Sequence, residues 1–406
     1  MSIYFDKLQD HSEVKIEILN RYYIPWLRKI NLGNYNSRKC IVIDGFAGKG
    51  IYDDGRLGSP LILIDGAIEF ADQLTDRNED QASITIVLVE RKGKNFDTLV
   101  KNIEERYHIS RSESNLAELS CTAVELVGYP SIRILVFNTG FEDFFTTLLD
   151  SVESNRTLIP SFCFVDPFGF SNTPFELFER FLKNEKSELL FNFMFEEINR
   201  FIKSNKNQKL IGTYQKLFGI GDIEDLRNSI GETKARERKQ IVIDFYSRQL
   251  LSNTEAKFVL NFEFKKKGRS KMFLIYATKN LHGLKTMKDV MWKIDNTGAY
   301  LFDDKANAKQ IEFDFSGPEL REEMRQKLAS LIYDNFKSLT DVPMQALEDF
   351  VLTETSFPTT NYFKQSLKIL EKKGYINVDR KPGTNNGSFN EAKVRGINFM
   401  EHTFDM

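Results

Sequence analysis

The sequence predicts an α/β protein: a Rossmann-like sheet of five parallel strands closed by a terminal hairpin, with a helical insertion and a smaller α+β domain after it. Three observations predict it. Short, β-branched apolar runs alternate with amphipathic stretches as far as about residue 303, the pattern of strands separated by helices. A glycine-rich loop directly follows the first such run. Two later apolar runs flank a short basic turn containing glycine, which reads as an antiparallel hairpin.

In order, the strand-like runs are 40–44, 84–90, 133–138, 161–166 and 188–194, and the helical patterns between them are 60–74, 94–107, 142–153 and 174–184. The stretch of about 196–256 is polar and mostly helical, with basic patches at 203–209 and 234–239, and reads as an insertion. The hairpin strands 257–265 and 271–279 surround Lys266-Lys267-Gly268-Arg269-Ser270. An antiparallel hairpin after parallel strands is more typical of a methyltransferase sheet than of a dehydrogenase sheet. The organisation expected is one domain over 1–303, a linker over 304–318 and a second domain over 319–406. Helices at 319–336, 343–352 and 359–373, then strands at 374–378 and 392–400 around a Gly-, Asn- and base-rich loop, make the second domain a winged helix.

A chain of 406 residues exceeds one ordinary domain. Its net charge of −2 excludes no partner, because a basic face can hide in a balanced total. Cys40, Cys121 and Cys163 are far apart and the four histidines form no pair at ligand spacing, so no metal site is expected. The polar start is no signal peptide and no apolar run is long enough to span a membrane, so a cytoplasmic location is expected.

The loop Asp44-Gly45-Phe46-Ala47-Gly48-Lys49-Gly50 carries the first chemistry. Its glycines let the backbone turn tightly and approach a ligand. Their G-x-x-G-x-G spacing is not the G-x-G-x-x-G of dinucleotide folds, which favours S-adenosylmethionine over NAD. Asp44 can order the loop and bind the amino group of that cofactor, and Glu90, ending the second strand, can accept ribose hydroxyls. Glu90 lies well beyond the usual ~20 residues after the loop, so 51–83 must hold an extended loop and a long helix. The third strand ends in Asn138-Thr139-Gly140, at the loop that in many methyltransferases packs on the adenine and holds its amino group with an acid; no acid follows Gly140 directly, and backbone groups or Thr139 can take its place.

Asp166-Pro167-Phe168-Gly169-Phe170 ends the fourth strand. Methyl transfer from a sulfonium is a displacement whose main demand is positioning. A carboxylate and a proline carbonyl can accept both N–H bonds of an exocyclic base amine and aim its lone pair. Phe168 or Phe170 can stack on the base, which in a duplex would be flipped out. His11 and Lys15, at i and i+4 on a predicted helix, share a face that can reach cofactor or substrate. Ser59 either joins them or caps the helix that Pro60 starts. Lys266, Lys267 and Arg269 in the hairpin turn, and the 380–395 wing, offer phosphate contacts.

With these motifs, most of the chain resembles the three-Cys-motif partner family (TcmP), class I S-adenosylmethionine-dependent methyltransferases of bacteria and mobile elements. The resemblance lies in His11-Ser12-Glu13-Val14-Lys15 with Tyr22 and Trp26, in Asp44–Gly50 with Gly58-Ser59-Pro60, in Asp166-Pro167-Phe168-Gly169, in Ala277-Thr278-Lys279-Asn280, His282-Gly283-Leu284 and Met287 near Trp292, and in the tail. It implies a partner protein with a three-cysteine, iron–sulfur motif. The tetrad at 166–169 also resembles that of tRNA guanine-N2 methyltransferases.

The expected activity is N-methylation of an exocyclic base amine in nucleic acid, with RNA favoured over DNA. Two alternatives stand beside it. One is a catalytically silent scaffold that works through its winged helix. The other is a methyltransferase for a small molecule or protein, against which Asp166, where glutamine-modifying enzymes carry Asn, counts modestly.

Overall fold

Strand β1 (Lys39–Asp44) is central in the computed structural model, which describes residues 11–32, 38–116, 119–155, 158–202, 207–234, 237–303 and 318–401. Nearly all of the expected 304–318 linker, and positions 203–206 and 235–236 of the basic patches, lie outside these residues. β1 pairs in parallel with β2 (Ser83–Val89) on one side and β6 (Ser161–Val165) on the other. β2 pairs in parallel with β5 (Ile132–Phe137), and β6 with β7 (Ser187–Phe193). These are the five runs that the sequence marks as parallel strands. Helices cover both faces, so the strands are apolar almost throughout.

The hairpin of β8 (Phe258–Lys266) and β9 (Arg269–Thr278) is antiparallel, with β9 beside β7. It is tighter than expected. Lys267 and Gly268 both have positive φ, 53° and 77°, which closes a two-residue turn and draws Lys266 and Arg269 into the strands. A second hairpin escaped the sequence reading: β3 (Ile109–Leu116) and β4 (Leu119–Leu126) pair antiparallel, and β4 joins β5. β3 is polar and largely exposed, so it carries no apolar alternation to detect. The order is β8-β9-β7-β6-β1-β2-β5-β4-β3.

Helices α1 (His11–Leu32), α2 (Ser59–Asp76), α3 (Gly93–Arg106), α4 (Phe141–Asn155) and α5 (Phe175–Leu182) flank the strands. Between β7 and β8 the chain runs through α6 (Phe195–Phe201), α7 (Gln208–Phe218), α8 (Ile223–Ile230) and α9 (Arg238–Asn253), where the helical insertion is expected. α1 buries Val14, Ile18, Leu19, Tyr22 and Trp26, an i, i+4 stripe, and Tyr22 donates to the buried Glu188 carboxylate on β7. Tyr276 and Thr278 donate to that carboxylate as well, each at 3.0 Å, so the charge on β7 has partners.

The chain divides into Gln9–Gly283 and a second unit from Leu284 onward. The boundary falls ahead of the expected 303 because α10 (Leu281–Ile294) is tied to the helices that follow it. Lys285 pairs with Glu348 at 2.7 Å, and the Trp292 indole donates to the Tyr362 hydroxyl at 3.0 Å. The second unit continues with β10 (Leu301–Asp303), α11 (Pro318–Phe336), α12 (Met344–Glu354), α13 (Phe363–Lys372) and an antiparallel pair, β11 (Ile376–Arg380) and β12 (Val394–Phe399). No described helix is long and apolar enough to cross a membrane.

Lys288 shows how the second unit is held. Its side chain is fully buried, and its Nζ donates to the carbonyls of Val351 and Leu352 at 2.9 Å and of Thr355 at 2.7 Å. These carbonyls lie at the end of α12, where a helix leaves acceptors unpaired and favours a cation. Lys288→Met is expected to cost roughly 2–4 kcal/mol by stranding buried carbonyls, read as a lowered denaturant midpoint of the second unit.

Candidate active site

β1 ends in a carboxylate that nothing around it fully satisfies. Asp44 is completely buried; its Oδ1 accepts the Phe46 amide at 3.1 Å, while Oδ2 has no hydrogen-bond partner among the described residues. Burial pushes its pKa up to about 7. The nearby Ser59 hydroxyl and the Phe46 amide oppose this, and the charges of Asp166 and Glu90 add to it. Ser59 does not cap its helix: Gly58 is the N-cap residue and Pro60 lies in the first turn.

The glycine loop is sewn to both neighbouring strands. The Gly45 amide donates to Phe164 and the Ala47 amide to Val89, each at 2.9 Å. Gly45 packs so closely on Phe141 that an added Cβ would sit 2.6 Å from the ring. Gly48, at φ +64°, has open space where a Cβ would be. Gly50 closes the loop, its carbonyl accepting the Gly58 amide at 2.7 Å.

Glu90 joins this loop directly. Its Oε2 accepts the Gly48 amide at 3.0 Å and its Oε1 the Lys92 amide at 2.7 Å. Asn138 donates from Nδ2 to the Glu90 carbonyl at 2.9 Å, which brings the 138–140 turn to the same place. An acid does stand there, within the first turn of α4: Asp143 Oδ2 is 3.2 Å from the position of a Cβ on Gly140.

At the end of β6, Asp166 is clamped. Lys15 Nζ donates to Oδ1 at 2.7 Å and Oδ2 at 2.6 Å, and Asn192 Nδ2 donates to Oδ1 at 2.6 Å. Lys15 thus reaches the site, whereas His11 contacts the Lys265 carbonyl through Nε2 at 2.7 Å. Asn192 is fully buried on β7 and was missed; a single amide inside the apolar run Leu189-Leu190-Phe191-Asn192-Phe193 was its signal. The Pro167 carbonyl accepts no hydrogen bond among the described residues.

The two expected stacking rings differ. Phe168 is 89% exposed, whereas Phe170 lies parallel on Tyr214 with ring centroids 5.2 Å apart. One face of Phe170 is therefore taken by the insertion. Gly169, at φ +99°, would place a Cβ 3.4 Å from Glu197 Oε2 on α6, a second acid beside this loop. Tyr52, an exposed ring past the glycine loop, has its phenol pKa raised by burial first and then by the Asp166 and Asp44 charges. Neither Glu197 nor Tyr52 belongs to a motif. Lys266, Lys267 and Arg269 are exposed on the β8–β9 turn.

No family model and no curated protein matches the chain. Solved structures overlap it in part. Trm1 from Pyrococcus horikoshii, in complex with S-adenosyl-L-methionine, aligns at 13% identity over 72% of this chain and 61% of its own, with a TM-score of 0.33. The chain thus spans less than two thirds of Trm1. An O-methyltransferase from Bacillus cereus aligns at 14% identity over 66% and 83%, TM-score 0.31. Protein LPL1258 from Legionella pneumophila aligns at 9% over 70% and 92%, TM-score 0.34.

Lys15 and Asp166 form an ion pair whose side chains are 7% and 22% exposed. Breaking such a pair from one side leaves a charge stranded, at a cost of about 3 kcal/mol. Lys15→Met is expected to show this loss in chemical denaturation, and Lys15→Met/Asp166→Asn to recover most of it.

Proposed function

We propose that the chain is an S-adenosylmethionine-dependent methyltransferase acting on an exocyclic base amine of nucleic acid, RNA before DNA. The observation that carries this reading is the pairing of two acids at adjacent strand ends. Asp44 is buried with an unpartnered oxygen beside an open glycine loop, and Asp166 is held rigid beside an exposed aromatic ring.

The residues present fit the cofactor. Asp44 Oδ2 is a vacant acceptor for its amino group, and Gly48 leaves room for its methionine part. Glu90 keeps an acceptor position on Oε2 for a ribose hydroxyl beyond those given to the Gly48 and Lys92 amides and, at 3.5 Å, to Asn95 Nδ2. Asp143 is placed to accept from the adenine amine beside Asn138, Thr139 and Gly140. When bound, the cofactor supplies an electrophilic methyl group.

The chain's own residues orient the nucleophile. A carboxylate has about four acceptor sites; Lys15 and Asn192 occupy three on Asp166 and leave one on Oδ2. That site and the Pro167 carbonyl accept the two N–H bonds of a base amine and aim its lone pair. Phe168 offers a free face for the base to stack on. Gly169 keeps the turn open beside Glu197. We read 318–399 as a winged helix, and membership of the three-Cys-motif partner family, with its iron–sulfur partner, belongs to the same reading.

The Asp44 carboxyl gives a test by pH. Its folded pKa of about 7 lies above the unfolded value of 3.8. The folded protein therefore holds an extra proton between these values, and the stability this confers is lost as pH rises through 7. A cationic amino group favours the ionised form, so S-adenosylmethionine binding near pH 7 is expected to release about half a proton. Calorimetry in buffers of different ionisation enthalpy measures this, and Asp44→Asn is expected to release none. A wild-type chain that does not bind the cofactor at all sinks the proposal.

The chemistry is tested at Asp166. Asp166→Ala is expected to bind S-adenosylmethionine within about threefold of wild type and to lose transfer by about 10²-fold or more. Tritiated methyl incorporation into total RNA and DNA, followed by nucleoside mass spectrometry, reads this. Label found only in protein rejects the base-amine substrate.

A further inference from the structure

The second unit holds a cavity of about 360 Å³ at the start of α13, lined by Lys285, Glu348, Thr359, Thr360, Asn361, Phe363, Lys364 and Gln365. Two features make it more than a helix end. Thr359 is only 6% exposed, yet its hydroxyl oxygen has no hydrogen-bond partner among the described residues. A buried hydroxyl without a partner costs stability, so its presence needs an explanation. The helix itself supplies the second half of the site: the Phe363 and Ser366 amides are bonded to the Thr359 and Tyr362 carbonyls, which leaves the Lys364 and Gln365 amides of the first turn without an acceptor among the described residues, and the helix dipole favours an anion there.

The charges around the cavity agree with an anion. Its one lining carboxylate, Glu348, is neutralised by Lys285 at 2.7 Å. Asp289 nearby accepts the Thr360 hydroxyl at 2.7 Å. From the cavity mouth, Lys364, Lys368 and Lys372 run along one exposed face of α13 at i, i+4 and i+8. Their ammonium groups have no carboxylate partner among the described residues. The one acid of α13, Glu371, is turned away from solvent by Arg380, which holds both its oxygens at 2.5 and 2.8 Å. Like charges at i, i+4 spacing destabilise a helix. An unneutralised row over about 12 Å of helix fits an anion that is itself a row of charges.

We propose that this cavity binds one backbone phosphate of a nucleic acid and that Lys364, Lys368 and Lys372 bind the phosphates that follow. The second unit is then a nucleic-acid grip of its own. This surface does not depend on the methyl-transfer reading, and its test omits the cofactor, so either can fail alone.

The experiment is fluorescence anisotropy on the full chain with a duplex DNA, a duplex RNA and a single-stranded RNA of equal length, titrated across salt concentrations. Lys364→Gln/Lys368→Gln/Lys372→Gln is expected to weaken binding at least about tenfold near 0.1 M salt and to flatten the log–log salt slope for duplex DNA by about 2.7. Thr359→Val separates ligand binding from packing. It is expected to raise the melting temperature, because it removes an unsatisfied hydroxyl, while weakening binding about fivefold. Loss of affinity with any of the three nucleic acids supports the proposal and identifies its source. Wild-type affinity and slope in the triple variant overturn it, as does binding to phosphatidylserine vesicles but to none of the nucleic acids.

Discussion

The site exists because β1 is a switch point. From β1 the chain steps to β2 and β5 on one side, then returns to β6 and β7 on the other. The connections leaving β1 and β6 therefore diverge and open a crevice at the carboxyl ends of these strands, where open α/β sheets bind ligands. Asp44 and Asp166 end those two neighbours, and the Gly45 amide crosses between them to Phe164. Two acids that far apart in sequence come close enough that the charge of Asp166 adds to the cost of ionising the buried Asp44.

That constraint explains why α1 belongs to the site. Bringing Asp166 to a partly dry crevice requires a counter-charge, and no residue of β6 supplies one. Lys15 does so from α1, and Asn192 supports it from β7. The same helix buries Tyr22 against Glu188 further along. The first helix is thus bonded to the sheet at successive charged points, and its apolar stripe fills the space between them. Stability and the placement of Asp166 share these contacts, since whatever loosens α1 also releases Asp166.

The parallel core was legible because each of its strands is buried on both faces and reads as a continuous apolar run. The β3–β4 hairpin was not, because an exposed strand such as Ile109–Leu116 has no face to encode. The same distinction holds in the site. Asp44, Glu90 and Asp166 stand at strand ends, where a sequence shows them. Asn192, Tyr52, Asp143 and Glu197 reach the crevice from a strand interior, a loop and two helices, and only tertiary packing brings them there. Ser59 illustrates the converse error: a helix-start pattern suggested a cap there, and the cap position falls one residue earlier, on Gly58.

The contrast between Phe168 and Phe170 follows from the insertion. α7 carries Tyr214 against Phe170, so that ring serves packing and fixes the far side of the Asp166–Phe170 turn. With one end of the turn fixed by Tyr214 and the other by Lys15 and Asn192, Gly169 takes a left-handed conformation and Phe168 is left facing solvent. An exposed phenylalanine gains nothing from folding by hydrophobic burial. Its exposure follows from its position between two anchored neighbours. The insertion therefore does for the aromatic end of this turn what α1 does for the carboxylate: each anchors one end of the same turn, and neither end is positioned by β6 alone.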